Sequence, residues 1–334
     1  MAETYFITGA QGCIGSWVVK ALAQRGDTSV VFDRSDDKRR LSAIITPNDL
    51  ERVRFVTGDI SDAGSVLTAL KASNARRVIH LAGVQVPTCQ ADPVAGAVVN
   101  VIGTLNLFEA ARAAGAETVV YASSAAVFGM SEDDVSVDET AACEPATHYG
   151  VFKRTNEGSA RVYFLTHGLN SIGLRPLTVY GVNRDTGLTS DLTKAMKAAV
   201  LGVPFHIRFS GATDFQYVAD TAAAFIACAD ASLPGAHVFN LHGETVDVAE
   251  IARIINGEAR RDLVTFGGDP IPIAAALNDA AIRRALGDLP ATPVEAGVHE
   301  TMKRFAELRD AGKLDTSDIE VELRRCARPD GAGA

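Results

Sequence analysis

Aromatic residues are scarce in this 334-residue chain, at 6% with a single tryptophan. Single-strand nucleic-acid binders stack bases on aromatic platforms, and the shortage argues against one. Positive charge is also in deficit. Lys and Arg number 32 against 41 Asp and Glu, for a formal net charge of −9. No basic stripe stands against that balance, so no nucleic-acid partner is expected. The five cysteines (Cys13, Cys89, Cys143, Cys228, Cys326) share neither a CxxC spacing nor a close pairing. That argues against a disulfide framework or a metal site and points to a reducing compartment. The N-terminus enters an apolar strand directly, without the charge pattern of a signal peptide. No run approaches the roughly 18 apolar residues of a membrane span. A soluble cytoplasmic protein, with no membrane partner, is expected. Hydrophobic residues at 47%, with 29 Gly and 12 Pro, are ordinary for a globular protein. The length is about two domains' worth and ample for a core without covalent staples.

Short β-branched runs alternate with helical patterns. Thr4–Thr8, Ser29–Phe32, Val53–Val56, Arg77–Leu81 and Thr118–Ala122 read as buried strands. Between or after them, Ile14–Arg25, Asp62–Lys71, Pro93–Ala114 and roughly Thr147–Thr166 carry helical periodicity. Gly26, Gly115 and Gly168 stand where left-handed caps are needed. The alternation predicts an α/β protein with a doubly wound parallel sheet and a ligand crevice at the strands' carboxyl ends. After Arg175-Pro176 the pattern loosens into helical stretches at Leu188–Leu201, Val218–Asp230, Asp247–Asn256 and Val294–Ala311, with Val238–Leu241 as a returning strand. The expected division is a dinucleotide-binding domain over 1–176, with a returning segment near 213–243. A smaller substrate-binding portion takes 177–212 and 244–327, and 328–334 forms a frayed tail.

Thr8-Gly9-Ala10-Gln11-Gly12-Cys13-Ile14-Gly15 joins the first strand to the first helix. Gly9 permits the tight turn, Gly12 lets backbone N–H groups approach a pyrophosphate, and Gly15 allows close helix–strand packing. The spacing is GxxGxxG rather than the GxGxxG of ordinary Rossmann dehydrogenases. Asp33 arrives 18 positions after Gly15, closing the second strand. A carboxylate there accepts hydrogen bonds from ribose hydroxyls and repels a 2′-phosphate, which favours NAD over NADP. Arg34 beside it keeps NADP open, or is simply a solvated charge.

Tyr149 and Lys153 stand four apart on a helical segment, which puts phenol and ammonium on one face. A neighbouring ammonium stabilises phenolate and is expected to lower the tyrosine pKa toward neutrality. Ser123-Ser124 end the fifth strand at the crevice, with Ser124 25 residues before Tyr149.

Here the chain resembles the extended short-chain dehydrogenase/reductases, and within them the NAD-dependent epimerase/dehydratase group, from Thr4 to about Asp220. The resemblance rests on Thr8–Gly15, Asp33, Gly58-Asp59-Ile60, His80-Leu-Ala-Gly83, Asn100-Val-Ile-Gly103-Thr104, Ser123–Gly129, Tyr149/Lys153 and Arg175-Pro-Leu-Thr-Val-Tyr-Gly181. It implies a Rossmann fold and hydride transfer between a substrate carbon and a nicotinamide. Tyr149 is then general base in oxidation and acid in reduction, Ser124 bonds the reacting oxygen, and Lys153 holds the nicotinamide ribose. Asp59 and Ile60 contact adenine, Ala82 and Gly83 lie along the cofactor, and Asn100 stands behind them. Cys13, Ile14 and Pro176 complete the cofactor set, and Val84, Ser123, Ser124 and Thr178 face the substrate. Blander roles stay open: Asp59 as a turn carboxylate, Asn100 as a helix hydrogen-bonder, His80 as a satisfied core histidine. The resemblance also implies a homodimer built on the helices Asn100–Ala114 and Thr147–Thr166.

Departures narrow the reaction. Ala125 and Ala126 replace the Asp-Glu pair that drives water elimination in the family's dehydratases, so dehydratase chemistry is not expected. Thr213 replaces an arginine that grips the diphosphate of nucleotide sugars and cannot make that bidentate contact. Thr178 stands where many such epimerases place an asparagine, and Arg184 or Arg208 is available to compensate. These losses suggest a sugar, sugar acid or other polyhydroxylated substrate, held near Val84–Cys89 and Asn183–Ser190. The first expectation is net NAD-dependent oxidation of a carbinol. Epimerisation of a sugar or nucleotide sugar with recycled, tightly bound NAD is the second, and a non-catalytic NAD(P)-binding sensor the third.

Overall fold

The strands of the first half, apart from the one at the sheet edge, are buried on both faces, and their side chains alternate between two cores. The computed structural model describes residues 2–129, 136–231 and 233–326; the tail expected at 328–334 lies outside them. In chain order the strands are β1 Thr4–Thr8, β2 Thr28–Asp33, β3 Val53–Thr57, β4 Arg77–His80, β5 Thr118–Ala122, β6 Asn170–Arg175, β7 Thr178–Tyr180, β8 Phe205–Ile207, β9 Ala212–Tyr217, β10 Ala236–Asn240, β11 Glu244–Asp247 and β12 Val264–Phe266. Seven of them form one sheet in the order β10-β6-β5-β4-β1-β2-β3, every neighbouring pair parallel. On β1, Tyr5 and Ile7 enter the core on one side of the sheet and Phe6 the core on the other. Helices cover both faces, as a parallel sheet requires. The strand order reverses between β1 and β4, and this switch point sets the crevice.

The first helix, Cys13–Arg25, ends on Gly26 at φ 89°. Gly115 and Gly168 close Gly103–Ala114 and His148–His167 at φ 70° and 68°. The helical run expected over Pro93–Ala114 is not uniform. It opens as Pro93–Ala97, widens into a π-helical turn over Val98–Ile102, and continues as an α-helix from Gly103. By length and composition alone this 22-residue run, with a mean hydropathy of 1.5 over its most apolar stretch, could cross a membrane. That corrects the expectation that no run comes near a span. Asn100, Thr104 and Asn106 interrupt the apolar residues, but the surrounding Val, Ile and Ala outweigh them in the average.

β6 is not apparent as a strand in the sequence, and it carries the returning strand β10 on its outer side. A second sheet, β11-β9-β7, pairs β9 antiparallel to β11 and parallel to β7. β8 and β12 form a parallel pair beside it.

Candidate active site

Local geometry explains the phosphate-binding turn. Gly9 has φ 67°, and a Cβ there would lie 2.5 Å from the Ala82 nitrogen. A Cβ on Gly15 would lie 2.5 Å from the Gly9 oxygen and 2.6 Å from Ala10 Cα. Only glycine lets the turn, the first helix and the β4 loop approach this closely. Asp33 Oδ2 accepts a 3.2 Å hydrogen bond from the Gln11 N–H, which ties the end of β2 to the turn.

These groups open onto a cleft of about 700 Å³. Gly9, Gly12, Asp33, Arg34, Asp59 and Ile60 line it, and Ala82, Gly83 and Val84 continue its wall. Among the other cofactor positions, Cys13 begins the first helix, and burial pushes its thiol up to about 12. Ile14 packs against the core. The Pro176 carbonyl accepts from the Ala125 N–H at 3.0 Å. Asp59 is a turn carboxylate that also lines the cleft: it accepts from the Ser61 N–H (2.8 Å) and Oγ–H (2.7 Å), which hold its pKa down.

Asn100 sits in the π-helical turn, 1% exposed. Its Oδ1 accepts from the Val84 N–H and its Nδ2 donates to the Val84 carbonyl, both at 2.8 Å. The same Nδ2 lies 3.3 Å from Cys89 Sγ. Asn100 therefore clamps the loop that forms the cleft's inner wall. The widened turn leaves its own carbonyl free to accept from Asn156 Nδ2 at 2.8 Å as well as Thr104 Oγ1 at 2.7 Å. His80 is a satisfied core residue, 2.6 Å from Thr8 Oγ1 and 3.0 Å from Thr104 Oγ1, and burial lowers its pKa to about 3.

The Ser–Tyr–Lys set converges just beyond Gly83. Thr147 caps the helix His148–His167 by accepting from the Gly150 N–H at 3.1 Å. A Cβ on Gly150 would lie 2.3 Å from the Ala126 oxygen, so glycine lets this helix seat against the turn that follows Ser124. Lys153 is 6% exposed; its Nζ donates to the Ala122 carbonyl at 2.7 Å and lies 5.4 Å from the Tyr149 ring centre. A Cβ on Gly83 would lie 3.6 Å from that Nζ, which joins the set to the inner end of the cleft.

The electrostatics correct one expectation. Burial raises the Tyr149 phenol above its ordinary value instead of the ammonium lowering it. The hydrogen bond with Ser124 and the charge of Arg184 work against the rise without overcoming it. Burial also lowers Lys153, to about 8.

Two expected substrate contacts are turned away. Ser123, 1% exposed, gives its hydroxyl to Glu157 Oε1 at 2.6 Å. Glu157 in turn accepts from Arg175 at 2.7 and 2.8 Å, beneath the end of β5. Thr178 is fully buried, its Oγ1 2.7 Å from Thr213 Oγ1 across β7 and β9. Val84 and Ser124 remain at the site. Of the two arginines, Arg208 is committed to buried Asp191 at 2.7 and 2.8 Å. Arg184 acts on Tyr149, and its buried Nε has no hydrogen-bond partner among the described residues.

Sequence reasoning missed Glu157, although it continues the Tyr149–Lys153 stripe at the same four-residue spacing. It also missed Arg40 and Asp185, which meet at the cleft at 2.7–3.0 Å.

Comparison with known proteins agrees with this geometry. The model of the NAD dependent epimerase/dehydratase family matches residues 5–241. The chain is 26% identical to UDP-glucuronate 4-epimerase 4 of Arabidopsis thaliana over 334 aligned residues, covering 90% of this chain and 75% of that one. It is 32% identical to UDP-glucose 4-epimerase of Mycolicibacterium smegmatis over 226 residues, covering 66% and 71%. Among solved structures, UDP-glucose 4-epimerase of Thermus thermophilus in complex with NAD superposes with a TM-score of 0.79 at 25% identity, covering 90% of this chain and 98% of that one.

Proposed function

The chain belongs to the NAD dependent epimerase/dehydratase family, and we propose that it uses NAD to oxidise a carbinol carbon of a sugar, sugar acid or similar polyhydroxylated molecule. The observation that carries this reading is the meeting of Ser124, Tyr149 and Lys153 beside Gly83, at the inner end of a cleft built for a dinucleotide. NAD fits that cleft: Gly9 and Gly15 let the phosphate-binding turn pack closely on Ala82 and the first helix, Gly9 and Gly12 line the cleft, and Asp33 ends β2. Bound there, NAD supplies the hydride acceptor. Tyr149 Oη takes the carbinol proton, Ser124 Oγ holds the reacting oxygen and favours the phenolate through its hydrogen bond, and the Lys153 ammonium orients the nicotinamide ribose. NAD is favoured over NADP because Asp33 and Asp37 line the cleft and Arg39 and Arg40 are paired with carboxylates, Asp37 and Asp315 for the first and Asp185 for the second. Arg34, which lines the cleft beside Asp33, keeps NADP as the lesser alternative.

Two outcomes share this chemistry. Return of the hydride to the opposite face, with NAD retained, is supported by the relatives named 4-epimerases. Net dehydrogenation of a smaller substrate is supported by the Thr178–Thr213 pair and by the engagement of Arg208, which leave neither position free to grip a nucleotide diphosphate. Ala125 and Ala126 are buried and carry no proton-transferring group, so elimination of water is excluded from the proposal.

A homodimer is part of the same reading. Ile102 is 47% exposed on the first helix expected to pair, and Val151, Val162 and Leu165 are 44–65% exposed on the second; Val94 and Val98, 75% and 40% exposed, extend the patch on the segment just before Asn100. An apolar stripe of this kind marks a subunit contact. It also accounts for the hydropathy of Pro93–Ala114 without a membrane partner. Cys13, Cys89, Cys143 and Cys228 are free thiols, which supports a cytoplasmic location. The division into 1–176 with a return near 213–243, and a substrate-binding remainder, is likewise proposed. It is supported by β10 beside β6 and by the helix Val218–Asp230 packed on Cys13–Arg25.

The test is to purify the protein without added nucleotide, quantify NAD(H) and NADP(H) released on denaturation, and screen carbohydrate isomer pairs alongside a 340 nm assay. Configuration change without net absorbance supports recycling, and net NADH supports the dehydrogenase. Full turnover by Tyr149→Phe on an identified substrate would overturn the catalytic assignment.

A further inference from the structure

We propose that the Arg40–Asp185 ion pair is a latch that sets how long NAD stays in the cleft, and so whether the cofactor is recycled in place or exchanged. The inference rests on the reading that the cleft holds NAD.

The pair joins two distant segments at the cleft. Arg40 belongs to the short helix Arg39–Ile44 that follows Asp33 and the β2 loop, and Asp185 lies on the loop after β7. The two residues are 145 positions apart and both line the cleft. Three hydrogen bonds join them: Nε to Oδ2 at 3.0 Å, and Nη2 to Oδ1 at 2.7 Å and to Oδ2 at 2.8 Å. Arg40 Nη1 also donates to the Gln11 carbonyl at 3.1 Å, inside the phosphate-binding turn. The guanidinium therefore bridges the turn that receives the pyrophosphate and the loop after β7.

The Asp185 side is built to hold still. Asn183 takes a left-handed backbone at φ 79°, and its Nδ2 donates to Ser16 Oγ at 3.0 Å and to the Arg40 carbonyl at 2.9 Å. Asparagine is among the few non-glycine residues that adopt this backbone readily, and here its side-chain bonds hold it there. The loop is thus pinned to the first helix and to the backbone of Arg40 itself. The pair is half-buried, with side-chain exposures of 36% and 23%. The second tie at the cleft, Arg39 to Asp315 at 3.1 Å, has exposures of 70% and 47% and is open to water and salt. Arg40 is bonded at once to Asp185 and to the turn on which a dinucleotide would rest, so in this proposal the pair fixes the cleft-lining side chains around the cofactor and its parting limits release.

The experiment measures NAD release from the intact protein into excess trapping enzyme, at low and high salt. The variants are Asp185→Asn, Arg40→Ala, the reversed pair Arg40→Asp with Asp185→Arg, and Arg39→Ala. Removing one partner of a partly buried, multiply bonded charge pair acts mainly on the off-rate. Asp185→Asn, which keeps the shape of the side chain, should therefore release NAD about tenfold to a hundredfold faster. Wild-type release should quicken with salt while Asp185→Asn stays nearly insensitive, and the reversed pair should recover part of the retention. Arg39→Ala should change the rate less than about twofold. Equal release rates in the wild type and Asp185→Asn, with both proteins folded by circular dichroism, would overturn the latch. A wild-type protein that neither carries nor binds NAD would overturn the cofactor reading beneath it.

Discussion

The Lys153 ammonium donates a 2.7 Å hydrogen bond to the Ala122 carbonyl while standing 5.4 Å from the centre of the Tyr149 ring. The lysine thereby ties the helix that carries the phenol to the strand that leads to Ser124. It holds its charge at a cost, since burial brings its pKa from 10.5 to about 8.

That cost predicts a trade between stability and activity. Below about pH 8 both folded and unfolded chains carry the proton, and the folded state bears the whole desolvation penalty. Between about 8 and 10.5 only the unfolded chain keeps the proton, so stability rises with pH across this window. Lys153→Met should therefore be more stable than wild type at pH 7, by about 1–2 kcal/mol, and should lose that advantage toward pH 10.5. Turnover should fall at least about a hundredfold. Melting curves at pH 7 and pH 10 check the first claim.

Ser124 sets the pH profile. Its hydrogen bond favours the phenolate of Tyr149 against burial, which raises the phenol. Ser124→Ala removes that bond, so the phenol titrates still higher and the acidic limb of kcat/KM for oxidation moves to higher pH. The rate at neutral pH should fall about a hundredfold. An unshifted limb would separate Ser124 from the proton transfer.

Glu157 is the buried anchor beneath the site, 1% exposed in its side chain against 3% for Arg175. Burial works to raise its carboxyl, but the Arg175 guanidinium outweighs it and holds the group below its ordinary 4.5. Its contribution is complete above pH 4.5 and lost as pH falls through the lower folded value. Glu157→Gln should cost about 3–5 kcal/mol at pH 7, because Arg175 is left buried without its partner. The gap from wild type should narrow in acid, as denaturant melts at pH 7 and pH 3 would show.

Gly15→Ala tests the phosphate turn. The added Cβ meets backbone of Gly9 and Ala10 within 2.6 Å and has no flexible neighbour to displace. Overpacking of this kind costs about 1–3 kcal/mol. NAD binding by calorimetry should weaken at least about tenfold, and the stabilisation of the fold by added NAD should shrink with it.

Ile102→Glu combined with Val151→Glu places charge on the exposed apolar stripe of the two long helices. Light scattering should then report half the wild-type mass. A wild type already monomeric at micromolar concentration would remove the proposed dimer.

The parts of this molecule legible in the sequence are those whose signal is local. β1, β2, β4 and β5 show because parallel strands buried on both faces read as continuous apolar runs. β6 does not: Asn170 and Ser171 open it, and Gly173 leaves a gap filled by the Tyr121 ring, within 2.6 Å of where a Cβ would stand. β7 has three residues and finds its partner in β9, far along the chain. The same division holds in the site. Ser124, Tyr149 and Lys153 are readable from spacing, and Asn100 from its resemblance. The direction of the Tyr149 shift is not, because it depends on how deeply neighbouring elements bury the ring. The Arg40–Asp185 contact leaves no local trace over its 145-residue separation.

The wide turn at Val98–Ile102 has a consequence for how this helix tolerates change in length. It adds a residue to one turn, and so phases Asn100 toward the Val84 loop while Leu107 and Phe108 still meet the core on the far side. Deleting one residue from the turn would let the run wind as an ordinary α-helix with its two halves in their present phase, because the wide turn is what absorbs the extra residue. Phe108 would keep its place between Tyr121 and Tyr163, and the loss would fall on Asn100, the residue the wide turn carries against the Val84 loop. The turn behaves as slack in the helix: one residue can be taken out there at the expense of the clamp alone, whereas the same deletion in the regular turns beyond Gly103 would put the loop and the hydrophobic core out of step.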